Sequence, residues 1–231
     1  MELRTAMRTT PSTRAFTDDD LPDDVLYDIL EVARFAPNGG NRQSWRTIVV
    51  RDRVTKERIR ELYDLGWREY AAHRRAGLVP FAASEGHWRY GNDGPVEPAV
   101  DLEEARSTPV DADTSYLVEV PVLLVIVADL SKISAVDTGL NRLSIVGGGS
   151  VYPFAHNVLL AARDAGFGGH ITSVLVRQEP ALRALLHIPE GHAVATVLPL
   201  GKPVKELTKL RRDPVEDFAT VGTFDGPVFT R

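Results

Sequence analysis

Apolar residues recur at helical spacing in some stretches of this chain and crowd into short unbroken runs in others, which predicts a mixed α and β architecture. Pro22 followed by Asp23 and Asp24 marks a helix start, since proline fits a first turn and acids suit its positive dipole end. Val25, Ile29, Val32 and Ala36 then repeat at helical spacing until Pro37, Gly39 and Gly40 stop the helix. Residues 47–50 (TIVV) read as a short strand, and residues 54–65 as a second amphipathic helix. The run VPVLLVIVA at 120–128 predicts a buried central strand, and 193–200 another. Between them Ser150 is placed as an N-cap, with Pro153 in the first turn of a helix reaching residue 165. Val151, Phe154, Ala155, Val158, Leu159 and Ala162 leave that helix little polar face, so it must be buried in the core or against a partner subunit. Gly166 ends it, and 181–186 form a short helix after Pro180.

Two segments lack such order. Residues 66–115 mix Trp67, Tyr70, Phe81, Trp88 and Tyr90 with many Gly, Pro and charged residues, which predicts helical pieces joined by a mobile lid outside the core. The tail from residue 202 to 231 has little periodicity yet carries Phe218, Phe224 and Phe229, so it is expected to pack against something.

Composition narrows the function classes. A chain of 231 residues builds one sizeable core, and one domain is the default. The formal net charge of -5 supplies no basic field for nucleic acid. There is no cysteine, hence no disulfide and no thiolate chemistry. The longest apolar run is too short to span a bilayer, and no leader pattern precedes it, so a cytoplasmic protein without a membrane partner is expected. The six histidines show no H-E-x-x-H or close H-x-H spacing, and no metal site is expected. Nor is there a G-x-S-x-G or a P-loop. GFGGHITS at 166–173 is similar to a dinucleotide fingerprint, but it lacks the final glycine and follows a helix instead of a strand.

The remaining chemistry lies in three places. Arg8, Ser12 and Arg14 near one end and the KLRR run at 209–212 near the other offer cations and a hydroxyl, a set suited to phosphate or to a solvated surface. Between them APNGGNRQSW, at 36–45, presents Asn41 and Gln43 after a glycine turn, amides suited to a polar heterocycle or simply to bracing the turn. A phosphate at one end and a flat hydrogen-bonding ring at the other describe a mononucleotide such as FMN.

These segments, in this order, resemble the FMN-dependent nitroreductase family. The resemblance is carried by RTTPSTRAF (8–16), APNGGNRQSW, HNVLLAARDAGFGG (156–169), LPLGKP (198–203) and KLRRDP (209–214). Asn38 stands where the family usually has Ser, Ser44 where it has Pro, and Thr10 and Pro11 where many members have arginines. The resemblance implies an α+β fold, a three-layer α/β/α sandwich around a mixed, mainly antiparallel sheet, in a homodimer with FMN at the subunit interface. It implies a cofactor set of Arg8, Thr9, Ser12, Arg14, Asn38, Gly39, Asn41, Gln43, Gly168, Gly169, His170, Thr172, Lys209, Arg211 and Arg212. At Gly168, Gly169 and His170 the backbone N–H groups would face the ring. Gly147 to Gly149 either admit a partner's flavin or form a flexible loop. Trp67, Tyr70, Trp88 and Tyr90 are substrate candidates on the lid, and the tail would reach the partner subunit.

The implied activity is hydride transfer from NADPH or NADH through the flavin to a small-molecule acceptor such as a nitroaromatic, quinone or activated alkene, with no side-chain acid or base. Three alternatives stay open. Two are reductive dehalogenation and flavin breakdown, for which Arg68, Arg74, Arg75 and Arg89 would hold a charged substrate. The third is flavin sequestration without turnover.

Overall fold

The computed structural model describes residues 1–82, 100–140 and 142–231. Trp88, Tyr90 and Arg89 lie outside the described residues. The elements in chain order are α1 (Leu3–Thr9), α2 (Asp23–Ala33), β1 (Trp45–Val50), α3 (Arg53–Arg75), α4 (Leu102–Ser107), α5 (Tyr116–Glu119), β2 (Val122–Asp129), α6 (Tyr152–Asp164), β3 (Gly168–Gly169), α7 (Glu179–Leu185) and β4 (His192–Gly201).

The run at 122–129 is apolar throughout because it is covered on both faces. Val122, Leu124, Ile126 and Ala128 point into one core layer with α2 and α6. Leu123, Val125 and Val127 point into the other, with α3, α5 and α7. Two helical layers on one sheet give the three-layer α+β sandwich. The strands stand in the order β1-β2-β4-β3 and every ladder is antiparallel. The mixed character is confined to one isolated parallel bridge, Ser12 to Gly169. In β4 the register slips opposite Ile126 and Val127, so that Val194 and Val197 both face the α3 layer.

Several elements differ from the sequence expectation. In α2 the buried face is Leu26, Ile29 and Ala33, while Val32 is exposed. The helix α3 continues ten residues past the expected end at 65, through Gly66 and on to Arg75. It does so because Gly66 crosses the 174–178 turn too closely for any side chain: a Cβ there would stand 2.6 Å from the Val174 carbonyl oxygen. Gly66, Ala71 and Ala105 are buried, so the described parts of 66–115 are packed layer as well as connection.

The apolar helix α6 is buried within its own protomer, where Phe154, Ala155, Val158, Leu159 and Ala162 join the α2 core. It therefore gives no reason to expect a partner. Ser150 is not its N-cap; the Ser150 hydroxyl instead accepts the Gly39 N–H at 3.2 Å. The tail after Gly201 is mostly exposed, and beyond residue 214 its backbone hydrogen bonds among the described residues are local, Thr220 bridging Val228. No described helix is long and apolar enough to cross a membrane.

Replacing Gly66 by Ala must push α3 off the 174–178 turn. Gly66→Ala is expected to lower stability by about 1–3 kcal/mol, read as a lower urea midpoint. An unchanged midpoint would contradict the close crossing.

Candidate functional site

After α1 the chain turns extended and is pinned on both sides. The Thr13 N–H donates to the Gly169 carbonyl at 3.0 Å. Further along, Val204 N–H donates to the Ala15 carbonyl and Thr17 N–H to the Lys202 carbonyl, at 3.1 and 2.9 Å. The glycines make this possible. A Cβ on Gly168 would stand 2.8 Å from the Thr13 hydroxyl, and one on Gly169 2.2 Å from the Pro199 carbonyl. Gly166 serves differently, closing α6 at φ +83° while the Phe167 N–H returns to the Ala162 carbonyl at 2.8 Å.

Side chains alternate along an extended segment. Thr13 turns inward and is buried, whereas Ser12 and Arg14 are exposed and share the opposite face. Arg14 has no carboxylate partner among the described residues, so an anion from outside suits it. Behind it lies a buried polar relay. The His170 ring meets the Thr13 carbonyl through Nδ1 at 2.8 Å and the Tyr116 hydroxyl through Nε2 at 3.3 Å. A carbonyl only accepts, so Nδ1 carries the proton and Nε2 accepts from Tyr116. Burial, then the nearby Arg14 cation, pushes the His170 pKa down to about 4, against the Thr13 contact. Burial also raises the Tyr116 phenol well above its ordinary value. Thr172, buried, exchanges both backbone hydrogen bonds with Val197 and stands behind the relay.

Two of the N-terminal candidates behave differently. The Thr9 hydroxyl is buried and donates to the Thr5 carbonyl at 2.8 Å, so it is spent on its own helix. Arg8 sits exposed in the last turn of α1 and shares no hydrogen bond with Ser12 or Arg14. Lys209, Arg211 and Arg212 are also exposed. Among the described residues their one side-chain hydrogen bond runs from Arg212 to the Arg211 carbonyl.

The glycine turn before β1 forms a second cluster. Asn38 braces it, taking the Gln43 N–H on Oδ1 at 2.8 Å and giving Nδ2 to the Ala36 carbonyl at 3.2 Å. Its side chain is therefore occupied. Gly40, Asn41 and Gln43 all adopt positive φ (62°, 52° and 49°), a conformation that asparagine tolerates and glycine adopts freely. The Asn41 and Gln43 side chains are exposed and carry no hydrogen bond within the described protomer. Sequence reasoning missed the loop that holds this turn. Ser150 takes the Gly39 N–H, and Arg42 Nη1 donates to the Ser134 hydroxyl at 3.2 Å. That loop is itself closed around Asp137, a buried carboxylate accepting from Arg142, Ser144, Ile145 N–H and Val146 N–H. The Ile145 N–H above all holds the Asp137 carboxyl well below its usual range. No local pattern announces contacts made across more than ninety residues.

The two clusters stand at opposite ends of the sheet. Trp45 pairs with Ala128, whereas Gly169 pairs with Leu200 and Leu200 with Val122. From Val122 to Ala128 is six steps along β2, about 20 Å at roughly 3.3 Å per residue.

The lid candidates inside the described residues are engaged with one another. Trp67 stacks with Tyr63 and with Tyr70, with ring centroids 6.0 and 4.8 Å away, and its Nε1–H donates to Asp111. Arg68 donates to the Arg106 and Thr108 carbonyls, and Arg74 lies 3.7 Å from Asp111. Among the described residues no group of three or more His, Cys, Asp or Glu is placed to hold a metal.

The model of the family described as "Nitroreductase family" matches residues 7–202. Human iodotyrosine deiodinase 1 is 25% identical over 211 residues, 89% of this chain. The chain spans 63% of that relative's length. A protein of Archaeoglobus fulgidus described as an NADH dehydrogenase/NAD(P)H nitroreductase is 28% identical over 199 residues, covering 84% of this chain and 82% of its own. Among solved structures, an oxidized iodotyrosine deiodinase bound to FMN and 3-iodo-L-tyrosine superposes with a TM-score of 0.66 at 23% identity, over 96% of this chain and all of that one. At that identity the likeness concerns the fold.

The buried His170 gives a pH signature. The unfolded chain takes up a proton near pH 6.5 and the folded one only near 4, so stability is full above about 6.5 and falls as pH drops toward 4. Between pH 7 and 5 this ring is expected to remove on the order of 2 kcal/mol. His170→Gln is expected to lose less stability over the same interval, as measured by urea unfolding at the two pH values. Equal losses in wild type and variant would show that the ring is not held neutral.

Proposed function

The chain belongs to the nitroreductase family, and from that premise we propose that it is an FMN-dependent oxidoreductase whose cofactor site is completed by a second copy. The observation that carries this reading is the exposed Ser12 and Arg14 pair, a hydroxyl and an acid-free guanidinium on one face of a pinned strand beside Gly168–Gly169. A cation with a neighbouring hydroxyl fits a phosphate or the polar edge of a flavin. Ser12 and Arg14, with Lys209, Arg211, Arg212 and Arg8 as further cations, would hold the charged part of FMN. The backbone at Gly168, Gly169 and His170 would face the ring. Thr9 and the Asn38 amide already hydrogen-bond within the protomer and would contribute less than the free side chains.

The length of the sheet supports a dimer. Asn41 and Gln43 are ring candidates, and so is the Gly168–His170 backbone, yet they lie about 20 Å apart along β2. A tricyclic ring is far shorter. One ring meets both only if two copies bring opposite ends together. Exposed apolar side chains support such an assembly: Phe35 and Phe218 stand largely in solvent, and Phe224 is 100% exposed. The tail that carries Phe218 and Phe224 would reach the partner.

Bound FMN supplies hydride uptake from NADPH or NADH and hydride delivery to an organic acceptor such as a nitroaromatic, quinone or activated alkene. The chain's own part is placement and charge. Arg14 offsets negative charge, and the neutral, buried His170 keeps a second cation from competing beside it. No side chain is assigned as acid or base.

A second reading, reductive dehalogenation, draws support from the deiodinase relatives. Arg68 and Arg74 do not favour it, since both are engaged within the protomer.

The purified protein is expected to be yellow and to bleach when NADPH or NADH is added without oxygen. Adding a nitroaromatic, a quinone or 3-iodotyrosine to the bleached protein identifies the acceptor class by which one restores the colour. A yellow protein that neither donor bleaches would point to sequestration, and a protein that never takes up FMN would overturn the reading. Arg14→Ala is expected to weaken FMN binding by about tenfold or more, the loss of one charge-assisted contact, read by fluorescence titration.

A further inference from the structure

Two polar residues behind the site, Tyr116 and His170, are both nearly inaccessible to solvent. Buried polar groups cost stability unless they are hydrogen-bonded, and a satisfied buried network is rigid. What they hold is the peptide that leads into Arg14. The His170 Nδ1–H donates to the Thr13 carbonyl at 2.8 Å, while the Thr13 N–H donates to the Gly169 carbonyl at 3.0 Å. Thr13 is thus fixed from both of its backbone polar groups by residues adjacent in sequence, Gly169 and His170. The His170 ring cannot turn, because Tyr116 on α5 satisfies its second nitrogen. The Arg14 cation acts on the Tyr116 phenol electrostatically, opposing the effect of its burial. The loop α5 ends in is tied down too, with buried Lys56 donating to the Val120 carbonyl at 2.7 Å.

We propose that Tyr116 and His170 are positioning residues that fix Arg14 for its anionic ligand, Tyr116 by orienting the His170 ring and His170 by clamping the Thr13 carbonyl. The inference rests on the flavin reading above. An exposed arginine otherwise loses much side-chain freedom on binding an anion, and holding it beforehand lowers that cost. The relay reaches from α3 and α5, in the α3 layer, to a strand at the sheet edge, so the site's cation is set by the core behind it.

The test is a double-mutant cycle read by FMN titration of the intact protein. Tyr116→Phe keeps the ring and removes the hydroxyl. In the wild-type background it is expected to weaken FMN binding about tenfold, the scale of one lost hydrogen bond. In an Arg14→Ala background the same change is expected to do nothing further, because the group it acts through is gone. A loss of equal size in both backgrounds, or no loss in wild type, would overturn the inference while leaving the flavin reading intact. Wild-type protein that binds no FMN would overturn both. Should Tyr116→Phe fail to fold, His170→Asn carries the same cycle. The Asn amide can still donate to the Thr13 carbonyl but no longer reaches Tyr116, so an intermediate loss, absent in Arg14→Ala, is expected.

Discussion

There is no room for a side chain at Gly169, where a Cβ would stand 2.2 Å from the Pro199 carbonyl, and little at Gly168, 2.8 Å from the Thr13 hydroxyl. That close packing lets the N-terminal strand lie against the short β3 at the sheet edge. It fixes Thr13, and through Thr13 it fixes which face Ser12 and Arg14 present. The same backbone leads into His170, whose ring returns to Thr13. Two glycines thus set the position of the cation, the hydroxyl and the relay behind them. In a dinucleotide-binding turn glycines make way for a ligand; here they make way for the protein's own chain.

The sheet then imposes its length. A central strand covered on both faces must be long enough to carry two core layers, and β2 separates the Ser12 and Arg14 end from the Asn41 and Gln43 end by about 20 Å. Each end is well built. One is held by Gly169, His170 and Lys202, the other by Ser150, Ser134 and the loop closed around Asp137. Two separate polar clusters on one protomer, with exposed apolar side chains elsewhere on its surface, are what the proposed pairing would bring together.

Much of this was legible in the sequence, for physical reasons. The apolar runs at 120–128 and 193–200 announced strands buried on both faces, and the turn at 36–45 announced itself by Pro and Gly. The family motifs supplied the order. What the sequence hid was long-range. The sequence reading ends the second helix at residue 65, yet α3 runs on through Gly66, where the helix passes the Val174 carbonyl. Ser150 reads as a cap but serves Gly39 across the fold. The apolar residues of α6 are taken up by the core of the protomer itself while His156 and Asp164 stay exposed, so that helix gives no argument for a partner and the argument is left to sheet length and the exposed aromatics. Trp67 reads as a substrate candidate, and its stacking with Tyr63 and Tyr70 and its hydrogen bond to Asp111 could not be read from the sequence. His170 was singled out for its backbone, and its side chain turned out to be the better-defined part.

Complementation between two defective copies bears most directly on the claim that the site is shared. One copy carries Arg14→Ala and the other Asn41→Ala with Gln43→Ala; they are co-expressed with different tags, and the mixed dimer is isolated. Each homodimer lacks one half of both sites and should hold little FMN. The mixed dimer has one site with both halves intact and should recover FMN at one of its two sites. A mixed dimer that holds no more flavin than either parent would mean that both clusters serve within one protomer, or that the turn at 38–43 has no part in the site.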